Sequence, residues 1–409
     1  MLDPVTLALA LAGSIIVIGF LGNYFFERTG FPDMIFLIIL GMLVGPVTKL
    51  VDTEQFIMPL APYFAALALV FILFDGGMAM NIYRVFTESP RATVLAVGGF
   101  GLSVAATTLF AALLLMPDKP VTYSLLLGTI LGGSSSIVVI SLASKIGVSE
   151  KCSTIFSLES ALTDILCIVF SLTIIEIILG SAVEPISIGQ AIASKFSIGI
   201  VLGVFFGLLW LSVLKRIVKA PYAYILTLAV VLLSYAVSET LGGSGALCCL
   251  LFGIVLGNEK EIYRMLRMER PTETVIDAGL KRFESEVAFL LRTFFFVYIG
   301  LISTISDVKI ALLGIILSFI LLLARFGAVR LATARCSELA EERPIMSVIL
   351  TRGLAAAVLA TLPLQYSEAN PTFKELYKIY INIVVLVILV TAVIATIGIP
   401  IIKWRAKKG

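Results

Sequence analysis

Two carboxylates lie in an apolar segment that is long enough to cross a lipid bilayer. Glu159 and Asp164 belong to residues 156–169, whose other members are apolar, small or hydroxyl-bearing. An ionised side chain at membrane depth costs at least several kcal/mol, so it is rarely kept there without a function. An offset of five residues turns the two side chains about 140° apart on a helix. We therefore expect different roles for them, with Asp164 as the first candidate for proton or cation chemistry.

The helical spacing assigns the two acids to different faces. Ser160 lies four residues before Asp164 and shares its face, whereas Thr163 shares the face of Glu159. Asp164 and the Ser160 hydroxyl are predicted to line a transport cavity. Glu159 is predicted to point into the protein, where a buried charge needs a cationic partner.

Three further charged residues lie inside apolar segments. Arg325 and Arg352 lie about ten residues from one end of their segments, roughly 15 Å into the bilayer, and either is a candidate partner for Glu159. Asp75 lies nearer the inner third of its segment, where it either lines a funnel or caps a helix end. Charges that reach overlapping depths from four segments predict one buried polar cluster.

A glycine and serine sequence supplies oxygen atoms at the same depth, at Leu131-Gly132-Gly133-Ser134-Ser135-Ser136. Such a sequence can interrupt a helix and free carbonyl oxygens, which is tolerated at this depth only inside protein or beside a water-filled cavity. Carbonyl and hydroxyl oxygens are suitable ligands for alkali cations. The alternative is a face of small residues that serves helix packing. The depth shared with Asp164 favours Ser134 and Ser135 as cation ligands.

The helices that must position these residues follow from the apolar pattern. Of 409 residues, 59% are hydrophobic and 14% are charged, and apolar runs of about 18 or more residues recur along the chain. The sequence therefore predicts an all-α polytopic membrane protein in which residues 1–409 form a single transmembrane domain. About thirteen spans are predicted, at residues 5–26, 34–50, 59–81, 92–116, 121–144, 153–180, 188–214, 222–241, 244–258, 285–304, 307–334, 343–363 and 375–403.

Cationic residues predict how the chain is oriented in the membrane. If the connections alternate between two sides, most Lys and Arg residues outside the spans fall on one side, which the positive-inside rule makes cytoplasmic. The other side receives only Lys49, Lys119, Lys195, Lys309, Lys374 and Lys378. The C-terminus is then cytoplasmic and, with an odd number of spans, the N-terminus is outside. Residues 259–284 are predicted to be a cytoplasmic link, and no soluble regulatory domain is expected after Lys403-Trp404-Arg405.

The composition limits the chemistry that the chain can perform. Histidine is absent, and the five cysteines lack metal-ligand spacing, so the usual metal ligand and the usual general base are missing. Proton chemistry must then use carboxylates, and no cofactor is expected. The sequence also offers no nucleophile with an adjacent base, which an intramembrane enzyme would need. A mid-membrane acid with arginine partners favours alternating access over a continuous channel.

These residues give the chain a resemblance to the monovalent cation:proton antiporters, and most closely to the NhaP-like sodium/proton antiporter branch. The sequence Glu159-Ser160-Ala161-Leu162-Thr163-Asp164 is similar to the Glu-Ser-x-x-Asn-Asp motif of the family's sixth helix and is the most specific match. Arg325 lies in a segment similar to the arginine-bearing eleventh helix. Similar segments also occur at residues 71–78, which include Asp75, at residues 244–258, and at Arg352-Gly353-Leu354-Ala355.

The resemblance implies a fold and a set of roles. The implied fold has thirteen transmembrane helices in inverted repeats, with the fifth and twelfth helices partly unwound and crossing near the ion site. The family's proteins are usually homodimers in the cell membrane. Asp164 is implied to bind an alkali cation or a proton in turn, and Glu159 is implied to pair with Arg325.

Two departures from the family pattern leave the cation open. Thr163 stands where NhaP-like members have Asn, and Ser135 stands where the fifth helix of relatives carries an acid. A serine-rich fifth helix resembles the Kef-like potassium efflux branch, so Na⁺, Li⁺ and K⁺ all remain candidates. With Asp164 as the single core titrating group, electroneutral exchange of one cation for one proton is expected. The alternative is a sodium-coupled carrier of an organic anion, with Arg352 binding a carboxylate.

Overall fold

The described part of the chain is entirely helical in its regular structure. The structure is a computed structural model that describes residues 4–29, 31–48, 61–80, 90–135, 139, 148–180, 185–217, 222–265, 278–304, 308–334, 336 and 339–406. The helices are α1 (Pro4–Thr29), α2 (Asp33–Met42), α3 (Ala61–Ala79), α4 (Pro90–Phe110), α5 (Val121–Ile130), α6 (Glu150–Leu179), α7 (Pro185–Ile217), α8 (Ala223–Thr240), α9 (Gly245–Gly257), α10 (Glu259–Met265), α11 (Ala278–Ile302), α12 (Val308–Thr333), α13 (Arg343–Val348), α14 (Leu354–Leu359), α15 (Leu362–Gln365) and α16 (Pro371–Ala406). π-helical turns extend α2 over Leu43–Val47 and α4 over Ala111–Leu115.

Several of these helices are suited to a bilayer. Within the described ranges, six are long and apolar enough to cross a membrane, and shorter apolar helices accompany them. The six segments are Pro90–Leu115, Cys152–Leu179, Ala193–Ile217, Ala223–Thr240, Val308–Thr333 and Pro371–Ile402. The prediction of an all-α polytopic membrane protein is confirmed. The count of thirteen spans stays a prediction.

The predicted cytoplasmic link falls partly outside the described residues. Within it, α10 covers residues 259–265, and α11 begins at Ala278 instead of at the predicted residue 285. The first half of α11 carries charged residues between apolar ones, so an apolar run does not mark its start. Residues 266–277 of the link, and residues 136–138 and 140–144 of the predicted fifth span, lie outside the described residues.

The chain divides into two compact units. The first comprises Met1–Ala65, Arg91–Ile175 and Arg292–Gly409, and the second comprises Ala66–Pro90 and Glu176–Leu291. In the first unit α12 packs along α16, and α1 packs against α2. Gly314 of α12 allows a close approach, because a Cβ there would lie 2.8 Å from Leu386 Cβ on α16. The candidate site described below lies in this unit.

A buried ion pair joins α2 to α11 inside the first unit. Arg292 Nη2 lies 3.2 Å from Asp33 Oδ2, and the two side chains are 13% and 4% exposed. The same two helices pack closely eight residues further along each helix, where a Cβ on Gly300 would lie 3.0 Å from the Gly41 Cα of α2. The sequence did not point to this pair, although Arg292 interrupts an apolar run in the same way as Arg325.

Small residues hold the second unit together. Gly199, Gly203 and Gly207 recur at four-residue spacing on α7 and face α9, where a Cβ on Gly203 would lie 2.8 Å from Leu251 Cβ. Gly253 of α9 lies in the same way against the α3 backbone at Phe74. Close approach of helix backbones through small residues is a common way to associate helices in membranes. Packing is therefore the role that the structure gives to the glycines of the predicted ninth span.

Two helices of the first unit are interrupted where the sequence carries polar and small residues. α5 ends at Ile130, and residues 131–135 are not helical. α13 ends at Val348, and residues 349–353 are extended or irregular before α14 begins. The apolar pattern over residues 343–363 did not reveal this second interruption, because the only Gly or Pro away from the ends of this range is Gly353, whose φ of −141° and ψ of −150° are not helical.

Candidate functional site

The two interrupted helices contact each other in the first unit. The Ser135 N–H donates to the Thr351 carbonyl at 2.7 Å. The Ser135 side chain packs against Gly353, where a Cβ would lie 2.5 Å from Ser135 Cβ. All three residues are buried. Non-helical backbone is tolerated at membrane depth when its polar groups find partners inside the protein, as they do here.

We expect Gly353→Ala to destabilise the protein by about 1–3 kcal/mol, the usual effect of overpacking. The backbone at Gly353 is extended and open to other residues, so the effect is steric and comes from the collision with Ser135. Adding Ser135→Gly should remove most of the loss in thermal unfolding of the purified protein. Gly98→Ala is the matched control, because a Cβ there meets nothing within 4 Å. An equal loss from Gly353→Ala with and without Ser135→Gly would contradict the collision.

A cluster of hydroxyls joins α6 to residues 131–135, the non-helical stretch after Ile130 that is called here the interrupted segment of α5. The Ser134 N–H donates to Thr163 Oγ1 at 3.1 Å, and the Ser134 and Ser160 hydroxyl oxygens lie 3.2 Å apart. The Thr163 hydroxyl donates to the Ser160 carbonyl at 3.2 Å. None of the three side chains is more than 3% exposed. Thr163 thus uses its hydroxyl both as donor and as acceptor, which fits it to position α5.

Asp164 follows Thr163 directly and is partly buried on α6. Gly133 brings the interrupted segment close to this turn, since a Cβ there would lie 3.1 Å from the Thr163 carbonyl oxygen and 2.7 Å from Cys167 Sγ. Asp164 lies between Thr163 and Cys167 in the sequence. The irregular backbone of α5 therefore lies beside the turn of α6 that carries the carboxylate.

Glu159 lies on a different side of α6 and binds an arginine. Arg325 Nη1 donates to Glu159 Oε1, and Nη2 donates to Oε2 at 2.9 Å. Arg325 Nε donates to the Met346 carbonyl at 3.1 Å, which ties α13 to the pair. Glu159 is 2% exposed and Arg325 is 6% exposed. Two parallel hydrogen bonds in a buried setting are the strong form of an arginine–carboxylate contact.

Arg352 lies in residues 349–353, between α13 and α14, and its side chain binds the interrupted segment of α5. Its Nη1 donates to the Gly133 carbonyl, and its Nη2 donates to Ser103 Oγ on α4 at 3.2 Å. Its backbone N–H donates to Thr391 Oγ1 on α16 at 3.3 Å. The residue is 4% exposed. One buried guanidinium thus connects three segments of the first unit.

The start of α6 is fixed by a second polar contact. Ser149 Oγ accepts a hydrogen bond from the Cys152 N–H at 3.2 Å, which caps the helix. Glu342 accepts from the Ser149 N–H at 2.6 Å and from the Ser149 hydroxyl at 2.7 Å. Glu342 directly precedes α13, so this contact joins the start of α6 to the interrupted helix that carries Arg352.

The structure brings only part of the predicted site together. Ser134, Ser160 and Thr163 form one cluster beside Asp164, whereas the Ser135 side chain packs against Gly353 instead. Asp75 lies on α3 in the second unit and is exposed.

Sequence reasoning missed three contributors to the site. Ser103 and Thr391 are each one of several hydroxyls in an apolar helix, and the Met346 carbonyl belongs to a backbone that the pattern treated as continuous helix. Nothing in the sequence distinguishes such a hydroxyl from one that bonds its own helix backbone.

The ligand chemistry of the site is that of oxygen atoms. Within the described residues, no group of three or more His, Cys, Asp or Glu side chains could hold a metal ion. The site offers instead serine hydroxyls, backbone near a helix interruption and one carboxylate. Hydroxyl, carbonyl and carboxylate oxygens are ligands for hard, weakly bound cations such as the alkali ions.

Comparison with known proteins identifies the family. The model of the family described as "Sodium/hydrogen exchanger, transmembrane" matches residues 13–405. The chain belongs to the sodium/hydrogen exchanger family. The resemblance predicted from the motifs is thereby confirmed. The family is one of transmembrane exchangers and not of enzymes.

Individual relatives support this assignment. The K⁺/H⁺ antiporter NhaP2 of Shewanella sp. strain MR-4 is 29% identical over 379 residues, which are 90% of this chain and 61% of the relative. The Na⁺/H⁺ antiporter NhaH of Halobacillus dabanensis is 25% identical over 358 residues, which are 82% of this chain and 84% of the relative. The chain thus spans about 61% of the length of the Shewanella relatives that it matches.

A solved structure has the same fold. The sodium proton antiporter MjNhaP1 from Methanocaldococcus jannaschii, in its structure at pH 8, aligns with a TM-score of 0.76. The alignment covers 96% of this chain and 100% of that chain at 20% sequence identity. This likeness establishes the fold of the exchanger.

Proposed function

We propose that this exchanger transports a monovalent cation in one direction and a proton in the other by competition at Asp164. The observation that carries the proposal is the cluster of Ser134, Ser160 and Thr163, which joins an interrupted helix to the turn of α6 that bears Asp164. An ordinary membrane helix has no need for such a cluster. Irregular backbone, hydroxyls and one acid at a single turn are the parts of an alkali-cation site.

Competition follows from the chemistry of a single carboxylate. A free Asp titrates near pH 4, burial disfavours its charged form, and a bound cation or a nearby arginine favours it. A proton and a cation therefore exclude each other on the same oxygens. In this mechanism the site changes access to the two sides when it is loaded with either ion, and the empty anionic site does not.

The stoichiometry follows from the other buried charges. Glu159 is bound by Arg325 through both carboxylate oxygens, so it is committed to a structural role and is not expected to carry protons. Asp164 is then the one exchanging acid on α6. One cation for one proton, without net movement of charge, is the expected result.

The interrupted helices suggest how access could change. The contact between Ser135 and Thr351 joins two non-helical segments, which supports the proposal that these two helices cross near the ion site, as in the predicted inverted-repeat fold of thirteen helices. We further propose the orientation given by the positive-inside rule, with the N-terminus outside, the C-terminus and residues 259–284 in the cytoplasm, and a homodimer in the cell membrane.

The cation is one of Na⁺, Li⁺ and K⁺. The printed names of the relatives include both a K⁺/H⁺ and a Na⁺/H⁺ antiporter, so relatedness favours neither ion. Serine hydroxyls and carbonyl oxygens are neutral ligands that accept alkali ions of different radius. The choice among the three ions must be measured.

The test is exchange by the purified chain in proteoliposomes that carry a pH gradient and an internal pH-sensitive dye. Adding Na⁺, Li⁺ or K⁺ outside is expected to dissipate the gradient with at least one ion, because that ion displaces the proton from Asp164. Choline chloride and protein-free liposomes are the controls. An imposed membrane potential should leave the rate unchanged. Absence of flux with all three cations would refute antiport, and a rate that follows the potential would refute electroneutrality alone.

The alternative, a sodium-coupled carrier of an organic anion, receives little support from the site. It needs a guanidinium that a carboxylate can reach, but Arg352 is only 4% exposed, and two of its five N–H groups already bind Gly133 and Ser103. Sodium-driven uptake of a labelled organic acid, without exchange for protons, would favour the alternative over antiport.

A further inference from the structure

Arg352 is a buried cation that forms no ion pair within the described part of the chain. Glu159 and Arg325 bind each other, and the remaining ion pairs of the described residues do not include Arg352. Its terminal nitrogens donate to a neutral carbonyl and a neutral hydroxyl, and its Nε has no hydrogen-bond partner among the described residues. A buried charge without a bound counter-charge is costly, so an arginine at this position calls for a functional explanation.

The position of Arg352 relates it to Asp164 through Gly133. The guanidinium binds the Gly133 carbonyl, and a Cβ on Gly133 would lie 3.1 Å from the Thr163 carbonyl oxygen and 2.7 Å from Cys167 Sγ. Thr163 lies one residue before Asp164 on α6, and Cys167 lies three residues after it. The cation is therefore held at the edge of the proposed exchange site.

The other groups around Arg352 do not cancel its charge. Glu159 is bound by Arg325 through both carboxylate oxygens, so it does not neutralise Arg352. α4 and α16 contribute the neutral hydroxyls of Ser103 and Thr391. The positive charge of Arg352 thus remains to act on the carboxylate of α6 that the exchange mechanism uses.

We propose that Arg352 is a tethered counter-charge of the Asp164 site, which holds the interrupted segment of α5 in place and weakens the binding of both proton and cation. This inference rests on the proposed exchange at Asp164 and gives it a regulator of affinity. A positive charge near a carboxylate makes protonation harder, and it also repels an incoming alkali ion. Weak binding of both ligands would help the exchanger to release each ion after the site changes access.

The first test separates the effect of the Arg352 charge from the effect of its geometry, in variants of the whole chain reconstituted in proteoliposomes. Arg352→Gln removes the charge, so the proton is held more tightly and the pH of half-maximal exchange should rise by about one unit. At alkaline pH, where protons no longer compete, the apparent KM for the cation should fall about tenfold. Arg352→Lys keeps the charge and should keep the wild-type pH profile. Arg282→Gln, the matched control, removes an exposed positive charge whose partner is Glu286 and should also keep the profile.

Each outcome of this comparison is decisive. A wild-type pH profile and KM in folded Arg352→Gln would overturn the proposal. The same is true if Arg352→Lys shifts the profile as far as Arg352→Gln, because the effect would then come from geometry and not from charge. A higher pH of half-maximal exchange in Arg352→Gln, without a shift in Arg352→Lys, supports the proposal.

A second measurement needs no transport and so separates this inference from the exchange mechanism. Thermal unfolding of Asp164→Asn, Arg352→Gln and the double variant forms a double-mutant cycle. If the two charges interact, Arg352→Gln should lower the melting temperature less in the Asp164→Asn background than in the wild type. If Arg352→Gln alone does not fold, the double variant is expected to fold. Additive losses of melting temperature would overturn the counter-charge, and so would failure of both Arg352→Gln and the double variant to fold. Exchange at Asp164 would still be judged by its own assay.

Discussion

Asp164→Asn is expected to remain folded and to lose cation-dependent proton exchange, with a fall of at least about a hundredfold, toward the rate of protein-free liposomes. Asn keeps the volume and the polarity of the side chain but cannot carry a proton or balance a cation. General acid–base and ion-carrying roles that depend on one group leave little residual activity when it is removed. The measurement is the proteoliposome assay with Na⁺, Li⁺ and K⁺ across a range of pH, with thermal unfolding of the same preparation to establish folding.

The control for this variant is a second neutralised carboxylate on the same helix. Glu176→Gln removes the charge of a residue near the end of α6, whose partner is Lys195 and not a group of the site. That variant should keep most of its exchange. Near-normal flux in Asp164→Asn would end the competition mechanism, whatever the behaviour of Glu176→Gln.

Thr163 marks the point where the chain departs from its closest family motif, and the structure gives that departure a physical meaning. The motif has Asn at this position, and Thr163 uses its hydroxyl to accept from the Ser134 N–H and to donate to the Ser160 carbonyl. One side chain with a donor and an acceptor is enough to hold the interrupted segment of α5 against α6. Thr163 therefore makes a positioning contact without adding a second titrating group.

The parts of the site that could be predicted from the sequence share one property, a helical periodicity within a single span. The five-residue offset between Glu159 and Asp164 and the four-residue spacing from Ser160 place these side chains on faces before any fold is known. The structure places Glu159 against Arg325 and Ser160 beside Ser134, on the other face of α6. The apolar pattern likewise gave helix ends that lie within a few residues of α7, α8, α9 and α12.

The parts that could not be predicted depend on contacts between segments far apart in the chain. Ser135 was expected beside Asp164, but the backbone after Gly133 turns its side chain toward Gly353. That orientation is set by the hydrogen bond to Thr351, more than two hundred residues away. The buried pair of Asp33 and Arg292 was missed for the same reason, because neither residue has a charged neighbour at helical spacing that would suggest its partner.

Removing either member of the Glu159 and Arg325 pair should destabilise the protein more than it slows exchange per folded molecule. Each truncation leaves a buried charge without its partner, which costs about 3–5 kcal/mol. Arg325→Ala also releases the Met346 carbonyl and so loosens α13. We expect Glu159→Ala and Arg325→Ala to melt at much lower temperature than the wild type. The double variant Glu159→Leu with Arg325→Leu should recover part of the loss, because it removes both charges together.

An exposed pair provides the matched comparison for this prediction. Arg282 and Glu286 lie four residues apart on α11 with side chains that are 84% and 65% exposed. Such a pair contributes only about 0.3–0.5 kcal/mol, so Glu286→Ala should leave the melting temperature nearly unchanged. Equal melting temperatures for wild type and Glu159→Ala would argue against a structural role. In that case Glu159 would have to be reconsidered as a second proton carrier, and the expectation of electroneutral exchange would lose its basis, because it depends on Glu159 being committed to Arg325.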